Sequence, residues 1–234
     1  GIFFKAQNVL SLTNGNMPLG ILAWIIGGLI MIVCAYCFSI LATKYNKVNG
    51  IIDYAEATCG EKYAYRVGWF MSTIYTPCMT SVLAWVSARY TLAIFGDFNV
   101  ASGRCLALAG LYLILSYAIN SLAPKLAGKL QVGSTVIKLV PILLMAVVGT
   151  IYGLTVTPEG STAPQLISNF GTFNNSGLES LFGAVVATAF AYEGWILATT
   201  INQEIKDAKK NLPKALILGT LVVIIAYIVY YIGI

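Results

Sequence analysis

Apolar residues in this chain come in long blocks, and polar residues gather in the gaps between them. Leu19–Thr43 is one such block and Val132–Tyr152 another. Each has about the 20 residues a helix needs to cross the hydrocarbon core of a bilayer. Val67–Ala88, Leu106–Ile119, Leu178–Ile201 and Ala215–Ile234 read as further spans. Gly1–Leu12 is equally apolar but covers only about half a span. "NKVNGIIDYAEATCGEKYAYR" is too polar to span and reads as a surface or re-entrant segment. Thr155–Gly177 reads as a polar loop, and "NQEIKDAKKNLPK" as a charged linker. None of the blocks alternates with period two, which argues against an outer-membrane barrel.

Composition agrees with an all-α membrane protein. The hydrophobic fraction is 58% and the charged fraction 10%, against about 25% charged in a soluble domain. Residues 1–234 read as a single transmembrane domain. The first residue is Gly1, with no charged segment and cleavage site ahead of the first apolar run, so no signal peptide is expected. The chain stops as abruptly at "YYIGI". Both ends are expected to be cuts through a longer protein.

Charge placement sets the expected orientation. With alternating passes, one face collects Lys44, Lys47, Lys62, Arg66, Lys125, Lys129, Lys206, Lys209, Lys210 and Lys214. The other collects Arg89, Arg104 and Lys5. The positive-inside rule makes the basic face cytoplasmic, in a multi-pass protein of the cell membrane. The basic run "KDAKKNLPK" then anchors topology, and no nucleic-acid partner is expected. The chain has no histidine, which removes His-based triads and His-ligated metals. Neither a metal nor a cofactor is expected. Cys34 and Cys37 form a C-x-x-C pair inside an apolar run and read as small buried hydrophobes.

Two ionisable residues lie deep in spans, where a charge costs about 2.5–3.5 kcal/mol on insertion scales. Lys138 stands three residues before Pro141, which frees the carbonyl of Ile137. An ammonium there can bind the carbonyls of a broken helix in place of a metal cation. Glu193 is the one charged residue between Phe182 and Ile201, and Gly194 follows it. A helix unwound at "FAYEGW" would expose carbonyls and amides at mid-membrane depth. That is tolerated only beside a cavity or inside protein. Such a place suits a zwitterion, with carbonyls for an ammonium and a helix N-terminus for a carboxylate. "GIFFK" opens a second short run, and paired broken spans point to a transporter binding site.

These residues resemble a known family. "GIFF" is similar to the tail of the signature that breaks the first helix in the amino acid–polyamine–organocation superfamily. "FAYEGWILATTINQEIKDAKKNLPKAL" resembles that superfamily's sixth helix and the loop after it. "GGLIMIVCAYCFSILATKY" and "GIIDYAEATCGEKYAYRVGW" fit as well. The nearest group is the L-type amino acid transporters, with bacterial relatives that exchange alanine, serine and cysteine. The resemblance implies an inverted-repeat transporter fold with discontinuous helices. This chain would run from the second half of helix 1 to helix 7. It implies sodium-independent exchange of small neutral L-amino acids by alternating access.

By the same resemblance, the Gly1 and Ile2 amides would meet the substrate carboxylate. The carbonyls of Phe190, Ala191 and Glu193 would meet its amino group. The Phe190 ring would be the gate, and Glu193 would act through its backbone. Lys138 matches a fifth-helix lysine that bridges to the first half-helix and serves the transport mechanism. Animal light chains carry a cysteine for a heavy subunit in the external loop between the third and fourth helices. "TLAIFGDFNVASGR" has none, so no heavy subunit is expected. A proton-coupled or cationic amino acid or polyamine carrier, with Glu193 as a cation site, stays open as an alternative. More remote are a channel, which would want rings of charges or carbonyls, and an intramembrane enzyme, which would want a nucleophile–base pair.

Overall fold

The computed structural model describes residues 2–45, 49–99, 102–157, 164–171, 178–205 and 207–234. All regular elements among them are helical. The α-helices are α1 (Ile2–Leu12), α2 (Met17–Lys44), α3 (Ile51–Cys59), α4 (Glu61–Phe70), α5 (Thr76–Ile94), α6 (Gly103–Leu122), α7 (Pro124–Thr155), α8 (Gln165–Gly171), α9 (Leu178–Tyr192) and α10 (Ala208–Ile232). A π-helical turn, Met71–Tyr75, joins α4 to α5, and a 3₁₀ helix, Trp195–Glu204, follows α9.

By length and composition, five segments among the described residues can cross a membrane: α2, α6, α7, Glu179–Thr200 and α10. The expected span Val67–Ala88 falls on α4, the π turn and α5 and is not among the five. α5 dilutes its apolar residues with Thr76, Pro77, Thr80, Ser81, Ser87 and Arg89. The polar segments also carry helix. α3 and the start of α4 occupy the expected surface or re-entrant segment, α8 lies within the expected Thr155–Gly177 loop, and α10 starts inside the expected charged linker. Polarity reports contact with water, which helices tolerate as readily as loops do.

Contacts divide the chain into two compact units, Gly1–Tyr54 with Lys138–Ile234, and Ala55–Ile137. In the first, α2 packs against α9 and α10, and α1 packs against α9. The buried face of α1 carries Ile2, Ala6 and Val9, and that of α9 carries Ala184, Ala187, Ala191 and Tyr192. Both follow the three-and-four spacing of a helix stripe. α2 offers Gly20, Ala23, Trp24, Gly27, Gly28 and Ala35 inward. A Cβ on Gly27 would collide with Thr188 Oγ1, and one on Gly20 with Tyr231 Oη. Large aliphatic residues such as Leu29, Val33, Leu218 and Val222 point outward. Small residues inside and bulky ones outside is the pattern of helices packed in lipid, where close backbone approach replaces the hydrophobic drive. Cys34 is half-buried, Cys37 is exposed, and both are free. The pair therefore departs from the expected burial, because the residues of α2 that go inside are its glycines, alanines and Trp24.

In the second unit, α5 and α6 meet through Ala84, Ala88, Cys105 and Ala109. A hydrogen bond of 2.9 Å between the Thr91 and Tyr112 hydroxyls adds to this contact. The π turn lies just before Pro77, whose missing amide removes an intrahelical bond. One extra residue per turn at such a point is a common feature of functional helices.

Candidate functional site

α9 ends at Tyr192, and Gly194 adopts φ 116° and ψ −21°. A side chain strains that conformation, so glycine is the residue that permits the turn. The 3₁₀ helix that follows has 10 residues, longer than the three or four usual for that geometry, and such stretches often mark hinges. The last four carbonyls of an α-helix have no intrahelical amide partner. In α9 these include Phe190 and Ala191. Both had been singled out in the sequence.

α1 is described from Ile2 onward. Gly1 lies outside the described residues. Ile2 and Ala191 share one buried cluster with Trp24 and Tyr192, and Tyr227 of α10 packs against it. The Tyr227 hydroxyl donates to the Ala191 carbonyl at 3.4 Å.

Aromatic rings brace this junction. Tyr192 stacks on Tyr227 with centroids 5.3 Å apart. Trp24, fully buried, meets both edge-on, at 5.6 Å and 5.7 Å. The Tyr192 hydroxyl donates to the Trp24 carbonyl at 3.1 Å. Glu193 is half-buried and, with Ala191, Tyr192, Trp195, Thr220 and Tyr227, lines a cavity of about 290 Å³. Phe190 is half-buried, and the Lys5 ammonium stands 4.8 Å from its ring centroid. Sequence reasoning missed Lys5 and Tyr227 as parts of the site. A lysine early in a lipid-embedded half-helix was the available signal for the first. Tyr227 carried none, since it reads as one more apolar position of α10.

Lys138 lies on α7, exposed, and its side chain makes no hydrogen bond or ion pair among the described residues. The site's first-unit partners, Ile2, Phe190, Ala191 and Glu193, are gathered without it. Beyond the break, the 3₁₀ helix packs against α2 and α10. Phe38 meets Trp195 at 5.1 Å and Tyr54 at 5.7 Å, and a Cβ on Gly50 would press on Thr199. Burial pushes the Tyr54 phenol above its ordinary range, Asp53 adds to this, and the nearby Thr199 side chain opposes it.

The family model for amino acid permeases matches residues 1–234. The chain belongs to the amino acid permease family. Its residues are 31% identical to those of the serine/threonine exchanger SteT of Bacillus subtilis over 229 residues, 97% of this chain and 49% of that protein. The permease is 28% identical to the human b(0,+)-type amino acid transporter 1, over 97% of this chain and 46% of the relative. It is 27% identical to the human large neutral amino acids transporter small subunit 2, over 97% and 42%. The permease chain thus spans about half the length of these relatives. Permeases of this family are transporters, not enzymes, which removes the intramembrane-enzyme alternative.

Proposed function

We propose that this permease carries the substrate-binding breaks of a sodium-independent exchanger of small neutral L-amino acids. The observation that supports this most is the junction of the α1 start with the α9 end. There, Ile2 and Ala191 share one buried cluster, Lys5 stands over Phe190, and the Tyr227 hydroxyl donates to the Ala191 carbonyl at 3.4 Å. The carboxylate would bind at the α1 N-terminus, through the Gly1 and Ile2 amides. The ammonium would bind the Phe190, Ala191 and Glu193 carbonyls. The Phe190 ring, with Lys5 above it, would close over the bound substrate. Relatives named as exchangers and as amino acid transporters support the substrate class.

In this reading the chain is one transporter domain, running from the second half of a broken first helix to a seventh helix in an inverted-repeat fold. The ten-against-three bias of Lys and Arg supports basic loops in the cytoplasm. Alternating access would proceed by rocking one group of helices against another. Cys105, the cysteine nearest the α5–α6 loop, is fully buried against α5. A disulfide to a heavy subunit from there is sterically closed, which supports a permease that works without one.

Glu193 at the cavity supports a second reading, a carrier of cationic amino acids. One experiment separates the readings. Labelled L-alanine uptake is followed in proteoliposomes of the full-length protein, loaded with unlabelled alanine, lysine or buffer. Faster uptake with internal alanine, independent of sodium and pH gradients, is the expected result. Acceleration by internal lysine alone would favour the cationic carrier, and no acceleration by either would contradict exchange.

A further inference from the structure

Two charged side chains meet the break at different points. Lys5 follows Ile2 by three positions and precedes Val9 by four, so it stands on the stripe that α1 turns towards α9. Ile2 is 1% exposed and Val9 0%. Lys5 is half-buried, and its ammonium lies 4.8 Å from the centroid of the Phe190 ring. That is inside the roughly 6 Å at which a ring face attracts a cation. A lysine on a lipid-facing stripe would stretch its stem towards the membrane interface, whereas this one reaches across to α9. The Glu193 carboxylate comes later in the break and lines the cavity against α10 with Thr220 and Tyr227. The positive group therefore stands at Phe190, and the negative one on the side of α10.

We propose that Lys5 sets the charge selectivity of the carrier: its ammonium at the Phe190 ring repels amino acids with cationic side chains and admits those with neutral ones. The proposal rests on the reading above in which Phe190 closes over the substrate. An ammonium held at that ring acts on any charge the gate closes over. Between packed helices water and salt screen such a repulsion less than at a surface. A neutral side chain of the same size meets no such barrier, so charge and not volume is discriminated. A like charge set against the wrong ligand gives specificity without any added contact to the right one. The Phe190 ring serves the same end, because its attraction keeps a flexible lysine in one place.

The test compares two competitors of one size, L-norvaline and L-2,4-diaminobutyrate, which end in a methyl group and an ammonium. Displacement of labelled L-alanine by each is measured on the full-length protein in detergent by scintillation proximity. In the wild type, norvaline should compete about tenfold better than diaminobutyrate, or more. Lys5→Met and Lys5→Gln remove the charge and should bring that ratio to about threefold or less, while Lys5→Arg should keep it. The ratio cancels a general loosening of the site, because both competitors feel it alike. Two neutral variants keep the test open if one of them misfolds. A wild-type ratio near one, or a ratio unchanged in a neutral variant, would overturn the proposal. Loss of alanine binding in both neutral variants but not in Lys5→Arg would make the ammonium a ligand of the substrate carboxylate, and would overturn it as well. A wild-type protein that binds none of these amino acids would contradict the exchanger reading itself, and the selectivity role with it.

Discussion

At Gly194 the backbone holds φ 116°, and any Cβ there works against the turn. Gly194→Ala is expected to cost about 1–3 kcal/mol in the unwound conformation. It should slow amino acid exchange, and a lower unfolding midpoint in detergent should accompany the slower exchange. An unaltered midpoint with unaltered exchange would show that the turn is not strained. The neighbouring Glu193 was legible in the sequence because a lone charge in an apolar run stands out. So was the break, because glycine weakens a helix by about 1 kcal/mol relative to alanine. Tyr227 was not legible. It reaches Ala191 across 36 residues of chain, and no local pattern encodes a contact made by the return of a later helix. Lys5 over Phe190 is a contact of the same kind.

Between elements, the close approach of α2 to α9 depends on Gly27. Thr188 fills the space where a Cβ would sit and donates to the Val185 carbonyl at 2.7 Å. Gly27→Ala should destabilise the protein by about 1–3 kcal/mol through overpacking. Thr188→Ala in the same chain should restore part of that loss, a coupling that a double-mutant cycle on thermal unfolding would measure. Additive effects would mean that the two residues do not share the space. The five spans were readable from apolar block length, although α7 and α10 start well ahead of their blocks, at Pro124 and Ala208. The helicity of the polar stretches was hidden. Asp207 takes a left-handed conformation (φ 50°) immediately before α10, and Lys209, Lys210 and Asn211 form its first turns outside the apolar run. The π turn ahead of Pro77 has no separate sequence signature.

For the whole molecule, transport requires that binding at the breaks be coupled to movement between helix groups. Lys138 stands at the point where one unit gives way to the other, after Ile137. Lys138→Ala should cut exchange by about tenfold or more, equivalent to about 1.4 kcal/mol, while alanine binding changes far less. Full exchange in that variant would remove Lys138 from the mechanism. The central claim is that backbone carbonyls at the α9 end hold the substrate's amino group. Phe190–Ala191 is the one Phe-Ala pair in the sequence. Carbonyl-¹³C phenylalanine with ¹⁵N-alanine labelling therefore isolates the Phe190 carbonyl of this segment by solid-state NMR, its peak identified by its loss in Ala191→Gly. The account predicts that this resonance shifts when L-alanine saturates the protein and stays in place with lactate. A resonance unmoved by saturating alanine would contradict it.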